Sequence, residues 1–252
     1  MRKPEIRIIG ITGLPEVRPG DDLAWMLVGA ADVQGTPLQG GDVLVVTQKV
    51  VSKAEGRLIA LDSIQPSEFA QTIARQYDKD PRHVEVVLRQ SRRIVRMDRG
   101  VIITENLLGQ VCANSGIDAS NLAEAGYLAL LPENPDRWCL EAKAKTQALA
   151  NADIGVVMSD TFGRPWREGC TNVAIGVAGM PAVVDYRDQV DTSGHILRAS
   201  ILAIADELSS AAELVMAKLD RIPAAIVRGY PYAKAEGKAS DLLRAPEEDM
   251  FR

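Results

Sequence analysis

Two acid-bearing stretches and one lysine-bearing stretch are the parts of this sequence best suited to chemistry. The acidic ones are Cys112-Ala-Asn-Ser-Gly-Ile-Asp-Ala-Ser-Asn121 and Met158-Ser-Asp-Thr-Phe-Gly-Arg-Pro-Trp-Arg-Glu-Gly169, which mix carboxylates, glycines and amides with apolar neighbours. Asp118 and Asp160, if brought together, would offer hard oxygen ligands to Mg²⁺ or Mn²⁺; Thr161 would add a hydroxyl and phosphate oxygens would complete an octahedron. Arg164 and Arg167 could then meet the phosphate charge with forked hydrogen bonds. In Val43-Leu-Val-Val-Thr-Gln-Lys-Val-Val-Ser-Lys-Ala-Glu-Gly56 an apolar run leads straight into Gln48, Lys49 and Lys53. Two ammonium groups and an amide near one strand end suit phosphate neutralisation. Each stretch also has a plain structural reading. Asp118, Ser120 and Asn121 can cap a turn or helix start, Asp160 and Thr161 can form an Asx-type turn, and lysines at a strand end are often only solvated. Spacing alone leaves both readings open.

These residues need elements to position them. Short β-branched runs at Val43 to Thr47, Val101 to Thr104, Ile154 to Met158 and Ala224 to Val227, the first three with Gly or Asp just before them, predict buried strands. Asp160 and Thr161 follow one such strand, and a strand's carboxyl end is where α/β-type folds place ligands. Between the strands lie helical patterns. Ser67 caps a helix running to Tyr77 with Phe69, Ile73 and Tyr77 on its apolar face. A long helix is expected within Leu197 to Lys218, with Ile201, Ile204, Leu208, Ala211 and Val215 on one side. The fold class is therefore α+β, a mixed α/β arrangement. Pro132 to Pro135 forms a turn that could mark a boundary, and the polar segment beyond Gly229 reads as a partly flexible tail.

The run from Arg82 to Arg99 holds six arginines against Glu85 and Asp98. Wound as one helix, it sets Arg82, Arg89, Arg93 and Arg96 opposite Val84, Val87 and Leu88. That face is either simply solvated or an electropositive wall that draws an anionic substrate.

Composition excludes several classes. With 252 residues, 46% of them hydrophobic and 25% charged, the chain can bury a core and is neither disordered nor fibrous. A net charge of −5 and 4% aromatics argue against a nucleic-acid or anionic-membrane surface. Arg2, Lys3, Glu5 and Arg7 leave no room for a secretory signal, and the longest charge-free run, Gly169 to Val184, is too short and too glycine-rich to span a bilayer. Cys112, Cys139 and Cys170 form neither a disulfide framework nor a zinc pattern. A cytoplasmic protein is expected. No two glycines are separated by a single residue, so the dinucleotide fingerprint cannot occur, and there is no G-x-x-x-x-G-K-[ST] loop. His83 and His195, the only histidines, make a Ser-His-Asp triad or a histidine-rich metal site improbable.

Taken in order, Thr12-Gly-Leu-Pro15, Gly41-Asp-Val-Leu-Val-Val-Thr-Gln-Lys-Val-Val-Ser-Lys-Ala-Glu-Gly56, Asn114-Ser-Gly-Ile-Asp-Ala-Ser-Asn121, Ser159-Asp-Thr-Phe-Gly-Arg164 and Ala205-Asp-Glu-Leu resemble the coenzyme F420-0:L-glutamate ligase, or F420 γ-glutamyl ligase, family. The resemblance covers nearly the whole chain. It implies a mixed α/β fold of two intertwined subdomains, roughly 1–85 plus 195–252 and 86–194, distinct from Rossmann and P-loop folds, assembled as a homodimer with the site near the subunit contact. Ending near residue 252, the chain resembles the stand-alone form without an added flavin domain.

The activity implied is GTP-dependent addition of L-glutamate to coenzyme F420-0, then γ-linked addition to F420-1, through an acyl phosphate with release of GDP and phosphate. The alternatives are a non-catalytic GTP- or F420-binding protein and a ligase of the same scaffold with another carboxylate acceptor. The resemblance assigns nucleotide contacts to Thr12, Gly13, Leu14, Pro15, Gln48, Lys49, Lys53 and Asn121. It assigns divalent-metal ligands, Mg²⁺ or Mn²⁺, to Asp118, Asp160 and Thr161, with K⁺ a further candidate. No general base is assigned; Lys49, Lys53 and Arg164 are candidates for charge stabilisation. In archaeal relatives the turn after the long helix touches the nucleotide and supplies an acid to a second metal. That turn corresponds to Met216 to Ile222, so Met216 and Lys218 join the nucleotide candidates; Lys218 stands where the acid would be, so either the second metal is held differently or the ammonium replaces part of its charge on the phosphates.

Overall fold

The computed structural model describes residues 4–118 and 126–250. In chain order the elements are β1 (Arg7–Ile11), α1 (Leu23–Val33), β2 (Val43–Thr47), α2 (Gln48–Ala54), β3 (Leu58–Ala60), α3 (Glu68–Tyr77), α4 (Pro81–Arg89), β4 (Ser91–Asp98), β5 (Val101–Asn106), β6 (Val111–Ala113), β7 (Tyr127–Ala129), α5 (Pro135–Ala150), β8 (Gly155–Arg164), β9 (Arg167–Ala178), β10 (Val184–Asp185), β11 (Ile201–Leu202), α6 (Ile204–Met216) and β12 (Ala224–Arg228). The fold is α+β, as expected from the alternating patterns. Among the described residues no helix is long and apolar enough to cross a membrane.

Five strands form the main sheet in the order β1-β12-β2-β8-β9. Strand β12 is antiparallel to both β1 and β2, while β2 and β8 are parallel. Strands β1, β2 and β8 consequently run the same way. Their carboxyl ends, and the start of β12, share one edge of the sheet.

Because the middle strands are covered on both faces, their sequences are continuous apolar runs rather than alternations. Leu44, Val46, Val156, Met158 and Ile226 face a core completed by α1 and α5, with Leu27, Ala31, Cys139 and Ala142. Val43, Val45, Val157, Ala225 and Val227 face the other way, onto Ile204, Leu208, Ala212 and Met216 of α6. Each Val, Leu, Ile or Met side chain so removed from water contributes about 1.5–3 kcal/mol, and the sheet lies between two separate apolar layers. Gly176 lets α5 approach β9: a Cβ there would lie 2.7 Å from the backbone of Pro135.

A smaller unit packs α3 and α4 on the sheet β4-β5-β6 through Ala70, Ile73, Val84, Val87 and Ile102. The Ser67 cap is present, its Oγ accepting from the Ala70 N–H at 3.2 Å. Phe69, however, is exposed, and the buried face of α3 is Ala70, Ile73 and Ala74.

Two longer patterns resolve differently from their sequence reading. The run Arg82 to Arg99 is not one helix: α4 stops at Arg89, and Ser91–Asp98 is a strand paired with β5. Strand pairing recruits Ile94 and Met97, and the arginines split between two elements. Arg82 bonds Asp80 and Asp62, Arg89 bonds Glu85, Arg93 bonds Glu105 and Arg96 bonds Asp98. Positive charge matched residue by residue makes no continuous wall. The expected helix from Leu197 begins only at Ile204, because Ile201 and Leu202 pair with Asp185 and Val184. Beyond Gly229 the chain is tied to the sheet: the Tyr232 hydroxyl donates to the Asp42 carbonyl at 3.0 Å, Lys234 pairs with Asp153, and Ala239 is buried.

Candidate active site

The shared edge collects four of the segments singled out in the sequence. Strand β1 ends at Ile11 and leads into Thr12-Gly-Leu-Pro15; β2 ends at Thr47 and turns at once into α2; β8 delivers Asp160 and Thr161; and the turn from α6 into β12 contains Met216 to Ile222. The Thr47 N–H donates to the Pro223 carbonyl at 2.9 Å, fixing the α2 start against that last turn. Asp118 arrives from outside the sheet. Its backbone exchanges two hydrogen bonds with Ala129, at 3.1 and 2.8 Å, which continues the β3–β7 pair toward the same place.

On one side of the β8 end, α2 addresses both carboxylates. Lys49 Nζ lies 2.6 Å from Asp118 Oδ2. Gln48 is buried; its Oε1 accepts from Ser52 Oγ at 2.9 Å, which turns its amide nitrogen toward the Asp160 carboxylate it hydrogen-bonds. The Thr161 N–H donates to Asp160 Oδ1 at 2.8 Å. Desolvation pushes the Asp160 pKa up to about 6, and the negative charge of Asp118 adds to the rise; the bonds from Thr161 and Gln48 and the charge of Lys218 oppose it. Two carboxylates close enough to disfavour each other's ionisation form a site that wants a cation, and the Lys49 ammonium now supplies one.

Thr161 points the other way, since consecutive strand residues face opposite sides of a sheet. Its Oγ1 donates to Asn172 Oδ1 at 2.8 Å and accepts from Lys218 Nζ at 2.6 Å. Asn172 Nδ2 donates to Glu213 Oε2 at 2.9 Å, and Glu213 Oε1 lies 3.4 Å from Lys218 Nζ. Asp118 and Asp160 are thus brought together on the α2 side, and Thr161 with Lys218 on the α6 side.

The remaining candidates fall as follows. Lys53 Nζ lies 2.5 Å from Glu16 Oε1, which ties α2 to the segment after Pro15. Thr12 is exposed, with its N–H and Oγ1 both donating to Gln34 Oε1, and Gly13 has φ +77° with open space around it, a backbone available for close approach. Leu14 packs on the α1 side of the core. Met216 is buried beneath the sheet, so it faces the edge only through its backbone. Arg164 lies four residues beyond Asp160 along β8, roughly 13 Å away at strand rise, and donates to the Glu168 carbonyl at 3.0 Å. Asn121 and Ser120 lie outside the described residues. Cys112 neighbours the site, and burial, reinforced by the charge of Asp160, pushes its thiol up to about 12.

Asn172, Glu213 and Glu16 were not singled out by sequence reasoning. Asn172 faces Thr161 directly in the β8–β9 register, and the Gly163-Arg-Pro-Trp166 turn was the available sign of that hairpin. Among the described residues no group of three or more His, Cys, Asp or Glu side chains is arranged to hold a metal.

A family model described as F420-0:Gamma-glutamyl ligase matches residues 12–229, spanning every segment of this edge. The chain belongs to the F420-0:gamma-glutamyl ligase family. Curated F420-0:gamma-glutamyl ligase relatives carry the name Coenzyme F420:L-glutamate ligase. The protein from Methanopyrus kandleri is 47% identical across 99% of this chain and 98% of its own length. Those from Methanothermobacter thermautotrophicus and Methanocaldococcus jannaschii are 41% and 38% identical, each over 98% or more of both chains. As a member of the F420-0:gamma-glutamyl ligase family, the protein is a ligase.

Proposed function

We propose that the protein ligates L-glutamate to coenzyme F420-0, and in further rounds to F420-1 through γ-linked amides, using GTP. The names of its relatives support the substrates. The observation that carries the reading is the Asp118 and Asp160 pair, held by Lys49 and Gln48 at the edge where the Thr12 to Pro15, α2 and Met216 to Ile222 segments converge.

A carboxylate is a poor electrophile, so the acceptor carboxylate oxygen attacks the γ-phosphorus of GTP, the bond to the β–γ bridging oxygen breaks, and GDP leaves. The glutamate amine then attacks the resulting acyl carbon and phosphate departs, with the amine proton lost to solvent or base. The protein's task is to hold two anions together and offset their charge. Lys49 and Lys53 sit one helical turn apart on α2, with side chains largely shielded from solvent, and act there as fixed positive charge. Gln48 orients Asp160, and Thr12 to Pro15 offers backbone around an open glycine. The donor chemistry of Asp118 and Asp160 fits Mg²⁺ or Mn²⁺, and these two residues would hold it. When bound, the ion neutralises phosphate charge and favours phosphoryl transfer. The protein works in this reading as a cytoplasmic homodimer.

Incubation with F420-0, L-glutamate, GTP and Mg²⁺ or Mn²⁺ should give products heavier by glutamyl units, read by mass spectrometry. No mass gain with any of these metals overturns the reading. GTP binding with no GDP release in the presence of both substrates would make the chain a binding protein instead. Asp118→Asn should lose metal-dependent turnover while folding normally.

A further inference from the structure

The α6 side of the β8 end carries a closed ring of four side chains. Lys218 donates to Thr161, Thr161 to Asn172, Asn172 to Glu213, and the Glu213 carboxylate faces Lys218 again, at 2.6, 2.8, 2.9 and 3.4 Å. Its supports are fixed from behind: Ser210 Oγ donates to the Asn172 carbonyl at 2.7 Å and is itself 2.8 Å from Thr171 Oγ1. Thr161 Oγ1, Asn172 Oδ1 and the Glu213 carboxylate are three hard oxygen groups on one spot, the chemistry that collects cations. The spot already has its cation. The single negative charge of Glu213 is balanced by the ammonium, and a divalent ion brought beside it would meet like charge. The ring does not fit a second divalent ion.

Lys218 is more than a plug. An ammonium has three N–H donors, and here two face ring oxygens. Its side chain is 61% exposed, and its charge is felt at Asp160 on the other side of the strand end. The third donor is left for a ligand. We propose that Lys218 is the second cation of this site, an ammonium standing in place of a second divalent ion and meeting the terminal phosphates of the nucleotide from the α6 side. The proposal rests on the nucleotide reading above and sharpens it: one divalent ion at Asp118 and Asp160, one fixed ammonium across the strand end.

The test is ion stoichiometry. The intact protein and its Lys218→Glu and Lys218→Ala variants are dialysed against Mn²⁺ and GDP, with bound Mn²⁺ counted by electron paramagnetic resonance and GDP affinity measured by calorimetry. The wild type should hold one Mn²⁺ per chain. Lys218→Glu, which places a second carboxylate beside Glu213, should hold two and show Mn–Mn dipolar broadening. Lys218→Ala should bind GDP about tenfold more weakly, the order expected for losing a charged hydrogen bond. Two ions in the wild type, one ion in Lys218→Glu, or unchanged GDP affinity in Lys218→Ala each overturns the proposal while leaving the nucleotide site standing. If the wild type binds neither GDP nor Mn²⁺, the nucleotide reading falls and takes the proposal with it.

Discussion

Glu85 offers the sharpest test of the physics in the smaller unit. Its carboxylate, on α4, accepts from Ser67 Oγ at 2.7 Å, from the Ser67 N–H at 2.9 Å and from Arg89 Nε at 2.8 Å. It therefore fixes the residue that caps α3 while bonding its own helix. These bonds favour the charged form, the Ser67 pair most and Arg89 after them, and bring the pKa from 4.5 to about 2. The Glu85 side chain is 12% exposed but Arg89 is half exposed, so solvent screening trims the Arg89 share and the full shift sets an upper bound. A shift of that size is worth about 3 kcal/mol at neutral pH. The folded-state value is the lower one. The contribution is therefore complete above the unfolded value near 4.5 and is lost as pH falls toward 2, with about 1.4 kcal/mol left at pH 3. Glu85→Gln removes the charge and turns amide hydrogens toward Ser67 and Arg89. Urea denaturation of both proteins at pH 7, 5 and 3 should show a gap of up to about 3 kcal/mol that closes by more than half at pH 3. A gap of the same size at pH 7 and pH 3, or no gap at pH 7, refutes the reasoning.

Other expectations concern packing and exposure. Arg228 makes a two-pronged pair with Asp42, which is 1% exposed, at 2.9 and 2.7 Å; Arg228→Ala leaves a buried charge unpaired and should cost about 3–5 kcal/mol in denaturation experiments, so a loss below 1 kcal/mol contradicts the assignment. Gly176→Ala forces a methyl onto the Pro135 backbone and should lower the melting temperature by several degrees through overpacking of about 1–3 kcal/mol; an unchanged melt means that α5 can shift freely. Of the three cysteines only Cys170 is exposed, while burial raises the thiol pKa of Cys112 and Cys139. A thiol reagent should count one fast-reacting group in the native protein and three in denaturant, and two or more fast groups would contradict the buried assignments.

Particular residues show what the sequence made legible. Val43 to Thr47 was readable to the residue, because a strand covered on both faces must be apolar through its middle, and Asp42 bounds it on one side and the polar Gln48 on the other. The Arg82 to Arg99 run misled for the opposite reason. Val84, Val87 and Leu88 satisfy a helical period, and what ends the helix is the pairing of β4 with β5, a partner outside the window being read. The site divides in the same way. Its segments stood out by residue type, yet nothing in their spacing says that Lys49 reaches Asp118 or that Gln48 reaches Asp160; those contacts are set by strand order. Glu213 stayed hidden because it is 41 residues from Asn172, and only the packing of α6 on β9 joins them.

Asp160 and Thr161 are neighbours on one strand, yet each looks into a different layer of the protein. The tip of β8 is in effect a saddle, and anything seated on it hangs a leg down each flank. One leg is steadied by α1, α2 and α5, the other by α6. A cavity opened under Met216 and another opened under Met158 would be felt at the same point from opposite sides. Damage to either flank thus loosens the same rider, and repairs on one flank cannot substitute for the other.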